Sequence, residues 1–221
     1  MAAAGTAAAR TTTRAGVTAR AYDPFMARER RPEDWDRDLE AAREAEARLA
    51  EILRSDHRIE ALIDRTSDFD RLDFSFNYGD GRVELDLKEK INPTSAGLAA
   101  LWPEVAAGDI FVLDETVYRR IVWNGGGGYL LVRDYPGLRW LIFGPWELTL
   151  GPRRRYERWG KRREQAFKKG KIMLDLSTAA HTSTAFEVGD LLKVIERSRA
   201  LRDRVEAFEL PGQELPEIGA P

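Results

Sequence analysis

Residues 72–90, LDFSFNYGDGRVELDLKEK, carry the strongest local constraint in the chain. Apolar residues fall on every second position at Leu72, Phe74, Phe76 and Tyr78, and again at Val83, Leu85 and Leu87, which is the period of a half-buried strand. Asp80-Gly81 lies between the two runs, and a two-residue Asp-Gly loop accepts positive φ at both positions. The pattern predicts a hairpin in which Tyr78 faces Val83, Phe76 faces Leu85 and Phe74 faces Leu87. Its polar face then pairs Asn77 with Glu84, Ser75 with Asp86 and Asp73 with Lys88, because side chains alternate across a strand. Asp73, Asp86 and Lys88 therefore share one surface. One third of the chain is charged, so the bland alternative is a polar hairpin face turned to water.

A second acidic feature lies upstream. From about Trp35 to Leu53 the chain reads as a helix, started by Pro32 with Glu33 and Asp34 in its first turn. Leu39, Ala42, Leu49 and Leu53 mark an apolar stripe at spacings of three and four, and Glu46 fills the vacant place at its centre. A carboxylate on a buried stripe is costly without a partner. The other reading is a stripe merely interrupted, or rotated towards Ala45 and Ile52.

A helical Glu, an Asp near the start of one strand and Asp86-Leu87-Lys88 on the next resemble the PD-(D/E)XK nuclease superfamily. The helix–strand–strand order, the spacing from Asp73 to Asp86 and the stretch EARLAEIL (46–53) are similar to its archaeal Holliday-junction resolvase branch. The likeness covers about residues 35–90. Leu72 stands where the eponymous Pro would be, Asp70 competes with Asp73, and Glu84 is an additional carboxylate. The resemblance implies an α/β fold with a restriction-endonuclease-like core, a mixed central sheet flanked by helices, with further C-terminal helices. It also implies a metal-dependent nuclease, more on DNA than RNA, of a fold that often pairs as a homodimer for double-strand cleavage. Asp73, Asp86, the Leu87 carbonyl and Glu46 would hold Mg²⁺ or Mn²⁺, and Lys88 would orient water or stabilise developing charge. The alternative is a nuclease-fold binding or interaction module without activity.

Composition narrows the chemistry independently. There is no Cys and there are only two His among 221 residues, which excludes thiolate zinc and multi-His centres. Any metal must be held by oxygen, which favours Mg²⁺ or Mn²⁺. No apolar run reaches membrane-spanning length, so a soluble cytoplasmic protein is expected. Residues 1–20, an Ala/Thr/Arg tract, and 209–221, acidic and Pro-rich, read as disordered tails around one domain at 21–208.

The rest of the chain adds elements and one charge anomaly. Ile59, Leu62 and Ile63 suggest a helical turn or two, Gly97–Val105 a short helix, Ile110–Leu113 a strand and Glu115–Trp123 a helix. Gly125–Gly128 read as a flexible connection. Tyr129–Arg133 and Arg139–Phe143 form a second hairpin, with Trp140, Phe143 and Trp146 either in the core or stacking on bases. Lys90 and Glu89 read as a strand end, or as substrate contacts. Residues 152–171 then hold ten basic side chains against Glu157 and Glu164. With Tyr156, Trp159, Ala166 and Phe167 as an apolar seam, they predict a helix with a basic face. That face is either solvated or, with so few acids, a phosphate-binding surface formed by Arg153, Arg154, Arg155, Arg158, Lys161, Arg162, Lys168 and Lys169. Ile172–Leu176 follows as a strand, His181 and Ser183 lie in a loop without a nucleophile-elbow motif, and Phe186–Phe208 is a final helix.

Overall fold

The computed structural model describes residues 32–68, 71–123, 128–162 and 165–207. Both expected tails, Asp70, Gly125–Gly127 and Arg163 lie outside the described residues. In chain order the elements are α1 (Pro32–Ser55), β1 (Glu60–Asp64), β2 (Phe74–Tyr78), β3 (Gly81–Lys90), α2 (Ala96–Leu101), β4 (Ile110–Asp114) and α3 (Glu115–Val122). They continue with β5 (Gly128–Asp134), β6 (Arg139–Phe143), α4 (Pro145–Leu150), β7 (Arg153–Arg162), β8 (Gln165–Asp175), β9 (His181–Ser183) and α5 (Val188–Glu206).

The protein is mixed α/β. Six strands form a sheet in the order β1-β2-β3-β5-β6-β9, and β4-β8-β7 form a second sheet. β3 and β5 are parallel, while the other neighbours are antiparallel. A parallel pair needs a long crossover, and the segment carrying α2, β4 and α3 supplies it.

Alternation decides which side of the main sheet each strand residue faces. Phe74, Phe76, Leu85, Leu87 and Leu131 pack with Leu49 and Leu53 of α1 and with Leu191, Leu192 and Ile195 of α5. Leu130, Val132, Leu141 and Phe143 point the other way, against Tyr118 and Ile121 of α3, Leu148 of α4, and Phe111, Ile172 and Leu174 of the second sheet. Each fully buried aliphatic side chain contributes roughly 1.5–3 kcal/mol. A smaller cluster of Trp102, Ile110 and Met173 covers the far face of the second sheet. No helix among the described residues is long and apolar enough to cross a membrane.

Four expectations are corrected, the shortest being that His181–Ser183 form strand β9 on the edge beside β6 rather than a loop. The segment after α1 is a strand rather than a helical turn. β1 pairs antiparallel with β2, and its register shifts between Glu60 and Ile63, where Ala61 takes φ +50°. Branched Ile63 suits a sheet, and the free edge of the hairpin provides one. The hairpin register is moved by two residues: Phe74 faces Leu85, Phe76 faces Val83, and Tyr78 faces Gly81. Its loop is therefore Gly79-Asp80, with the left-handed position at Gly79 (φ +57°), where glycine has no steric cost. The basic stretch is a β-hairpin, β7 paired with β8 from Arg153–Leu174 to Arg162–Gln165. Gly160 and Gly170 disfavour a helix there, and β4 holds β8 along Lys171–Asp175. The C-terminal helical addition is thus α5 without a basic companion, and of the two helices between β3 and β5 it is α3 that packs on the sheet.

Candidate functional site

The site begins at the entry to β2. Asp73 stands one residue before the strand, and the register extended by one pair sets it opposite Asp86. The Leu87 N–H donates to Asp73 Oδ2 at 2.8 Å, which fixes the carboxylate beside β3. β3 lies inside the sheet between β2 and β5, so Asp86 is only 2% exposed. Burial alone pushes its carboxyl up, Lys88 opposes that, and neighbouring Asp73 adds to it.

Lys88 closes the cluster. Its Nζ lies 2.8 Å from Asp86 Oδ2, donates to the Leu87 carbonyl oxygen at 2.8 Å and reaches Asp73 Oδ2 at 3.4 Å. Three oxygens, two anionic and one carbonyl, thus converge on one ammonium. Burial works against the charge on Lys88, but Asp86 and Asp73 outweigh it and raise the amine's pKa. Lys88 is therefore a fixed cation rather than a proton acceptor.

Glu46 sits on α1 one turn before buried Leu49 and Ala50. Its carboxyl is half-buried and pushed up to about 7, first by desolvation and then by Asp73, with smaller effects of the same sign from Asp64 and Asp86, and Lys88 pulling it down. Both readings of the α1 stripe hold in part. Glu46 lies on the inward side, Ala45 and Ile52 also pack on the core, and Leu39 at the outer end is 41% exposed.

Among the described residues, no three Asp, Glu or His groups are close enough to hold a metal ion together. Glu46 stays within electrostatic reach of the Asp73–Asp86 pair without joining it. The donor set nevertheless suits a hard cation. All its atoms are oxygens, and Asp86 Oδ2, although ion-paired with Lys88, is buried and accepts no hydrogen bond. Mg²⁺ commonly takes one or two carboxylates and completes its shell with water and phosphate. Asp73, Asp86 and the Leu87 carbonyl match that habit.

Other carboxylates separate clearly. Glu84 is engaged by Arg82 Nε at 2.7 Å and by Arg65 Nη1 at 3.5 Å, so it braces the hairpin instead of competing as a ligand. Asp68 belongs to a turn, ion-paired with Arg71 at 3.4 Å. Sequence reasoning missed Asp64 at the end of β1, which accepts from the Thr66 N–H at 3.1 Å and hydroxyl at 2.8 Å. Reading residues 60–64 as a strand beside β2 would have found it.

A second buried charge cluster was also missed. Lys90 is 6% exposed and Asp134 1%, so Lys90 is neither an exposed strand end nor a substrate contact. Lys90 Nζ lies 3.7 Å from Asp134 Oδ1. Arg139 donates to Asp134 Oδ2 at 2.8 Å and to Asp109 Oδ1 at 2.7 Å. This network ties the ends of β3, β5 and β6 to the turn before β4.

Of the basic residues, Arg153, Arg154, Arg155, Arg158, Lys168 and Lys169 are exposed on the β7–β8 ribbon. For Lys161 and Arg162 the backbone alone is described. Several cations have acidic partners: Arg155 with Glu115 at 2.9 Å, Lys168 with Glu157 at 3.1 Å, and Lys169 with Asp114. Trp140 packs beside Phe186 at 5.6 Å, Phe143 is buried, and Trp146 Nε1 donates to the Ser198 carbonyl at 3.0 Å. These three aromatics are structural. His181 Nε2 lies 3.2 Å from Asp190 Oδ2, while the Ser183 hydroxyl donates to the Ala185 carbonyl at 2.6 Å and is committed there. No family model matches the chain, and no curated protein or solved structure matches it.

Proposed function

We propose that this protein is a metal-dependent nuclease of the PD-(D/E)XK kind, with a restriction-endonuclease-like core, acting on DNA in preference to RNA. The observation that carries the reading is the convergence of Asp73 Oδ2, Asp86 Oδ2 and the Leu87 carbonyl on a single positive centre, the Lys88 ammonium. Setting the half-buried Asp73 beside the buried Asp86 brings two carboxylates together at a cost, and the arrangement leaves Asp86 Oδ2 accepting no hydrogen bond. The helix-then-hairpin order and the mixed sheet flanked by helices are what the resemblance leads one to expect.

Asp73, Asp86 and the Leu87 carbonyl would hold Mg²⁺ or Mn²⁺, with Glu46 reached through water. When bound, the ion polarises a phosphoryl oxygen and lowers the pKa of an attacking water. The chain's own residues do the rest. Lys88 keeps its proton beside two carboxylates, so it offers N–H donors to the anionic phosphoryl group as charge develops. The Leu87 N–H holds Asp73 in place. Exposed cations of the β7–β8 ribbon bind the backbone and position it without reading sequence.

One observation favours the competing reading of an inactive nucleic-acid-binding module: Glu46 does not join the two aspartates as a third close carboxylate. The assay that separates the two incubates labelled single-stranded, duplex and branched DNA, and RNA, with Mg²⁺ or Mn²⁺ and either wild type or Asp86→Ala. Wild type is expected to cleave and Asp86→Ala to lose at least about 100-fold in rate with binding within about twofold, the signature of an interaction made only in the transition state. Salt-sensitive binding without cleavage by wild type would reject the nuclease and leave the binding module.

A further inference from the structure

The ribbon continues beyond its sheet. β4 accompanies β8 only from Lys171 to Asp175, whereas β7 stays paired with β8 as far as Arg162–Gln165. Opposite residues of an antiparallel pair share a face, so Arg155, Glu157, Trp159 and Lys168 lie together. The same face carries Ile172 and Leu174, which pack with Tyr118 and Ile121 of α3. α3 brings Glu115 and Arg119 to this side, followed by Trp123 just past its last turn.

These side chains form one unbroken strip. The Arg119 guanidinium lies over the Trp123 ring at 5.2 Å and bonds Glu115 Oε1 through Nη2 at 2.5 Å and Nε at 3.1 Å. Glu115 Oε2 accepts from Arg155 Nε at 2.9 Å. Arg155 then meets Glu157 at 3.5 Å, and Glu157 meets Lys168 at 3.1 Å. Lys168 Nζ lies over the Trp159 ring at 5.1 Å. Between the two ends is an open cleft of about 320 Å³ bounded by Thr116, Lys169 and Gly170 among others.

The ends of the strip are its unusual feature: Trp123 is 72% exposed and Trp159 66% exposed. Indoles normally bury most of their surface, and these two instead stand exposed among the described residues at either end of a row in which three cations alternate with two carboxylates. Glu115 and Glu157 are held below the ordinary carboxylate range by hydrogen bonds from Arg119 and from Lys168, respectively. They act as spacers that fix the guanidinium and ammonium groups in line, and the cations outnumber them.

We propose that this strip is a track for single-stranded nucleic acid, with unpaired bases stacking on Trp123 and Trp159 and the phosphates between them meeting Arg119, Arg155 and Lys168. Charge complementarity selects a polyanion. The two indole faces select unpaired bases, because a duplex keeps its base faces inside the stack. The inference rests on the nuclease reading for the polymer and narrows its substrate to unpaired or partly unpaired strands.

The test measures anisotropy of a labelled oligo-dT and of a duplex of equal length, in EDTA so that no cleavage intervenes, with full-length wild type, Trp123→Ala, Trp159→Ala and Trp159→Tyr. Each Ala variant is expected to weaken oligo-dT binding by about 5- to 150-fold, the equivalent of the 1–3 kcal/mol that one stacked base is worth. Tyr at 159 should restore most of the loss, and duplex binding should stay within about twofold. Undiminished binding by both Ala variants overturns the track, as does an equal loss on duplex, or wild type that binds no oligo-dT. Mg²⁺-dependent cleavage by the same wild-type protein, followed separately, distinguishes failure of the track from failure of the nuclease.

Discussion

Replacing Glu46 by Gln should stabilise the metal-free protein at neutral and alkaline pH. The carboxyl is pushed from an ordinary 4.5 to about 7, so the folded state holds its proton more tightly than the unfolded chain. Stability from this group is therefore fully present below about pH 4.5, declines as pH rises through about 7, and stays low above that. The range from 4.5 to about 7 gives an upper limit of about 3 kcal/mol at about 1.36 kcal/mol per pH unit. Because about half of the group still faces solvent, screening reduces this to about 1 kcal/mol. Gln keeps the shape without the charge and escapes the cost. Thermal unfolding in EDTA at pH 8 should then show Glu46→Gln melting about 2–4 °C above wild type, and the two should coincide at pH 4. Saturating Mg²⁺ should raise both proteins and narrow the gap by the affinity that the Glu46 carboxylate adds, since a bound ligand stabilises in proportion to the logarithm of its concentration over Kd. A Glu46→Gln protein that melts at or below wild type at pH 8 would refute the argument. It would mean that Glu46 is not held among the carboxylates of Asp73, Asp64 and Asp86.

Three further substitutions probe the surroundings. Lys88→Met leaves Asp86 and Asp73 facing each other without their shared cation; burial already raises the Asp86 carboxyl to about 7 against the pull of Lys88, so the variant should lose about 1–3 kcal/mol above that pH, less than a fully buried broken pair, with the loss shrinking in urea titrations as pH falls through about 7 and Asp86 protonates. Asp134→Asn removes the buried anion between Lys90 and Arg139, leaving Lys90 with the Gly108 carbonyl and Arg139 with Asp109, and should cost about 3 kcal/mol by urea unfolding, while Mg²⁺ binding by the folded fraction is unchanged. Gly128→Ala would put a Cβ 2.1 Å from the Ile121 backbone oxygen, which cannot rotate away. It should lower the melting temperature by at least about 5 °C through strain where β5 begins beneath α3.

How much was legible follows from how local each cause is. The strands and the polar face of the first hairpin could be read because period-two alternation is written residue by residue. The register could not, because Gly79-Asp80-Gly81 offers two overlapping two-residue loops and only the folded backbone chooses the one with Gly79 at positive φ. The basic ribbon was misread for the opposite reason. Tyr156, Trp159, Ala166 and Phe167 happen to match a helical seam, while the force that makes β8 a strand comes from β4, more than fifty residues earlier. The buried Lys90–Asp134–Arg139 network left no local mark, since its members come from three strands and each looks like an ordinary surface charge in isolation.

The misplaced register also shows why the site survived it. A slip of two residues moves contacts by about 7 Å along the strand, yet it returns every side chain to the same face, whereas a slip of one would have turned Asp86 and Lys88 into the α1 core. The corrected register improves the site. It moves Asp73 from opposite Lys88 to opposite Asp86, so the two carboxylates sit side by side, the Leu87 N–H can hold one of them, and Lys88 reaches back over both. A constellation on alternate strand positions depends on parity first and on register second, and parity is the property that a sequence states most plainly.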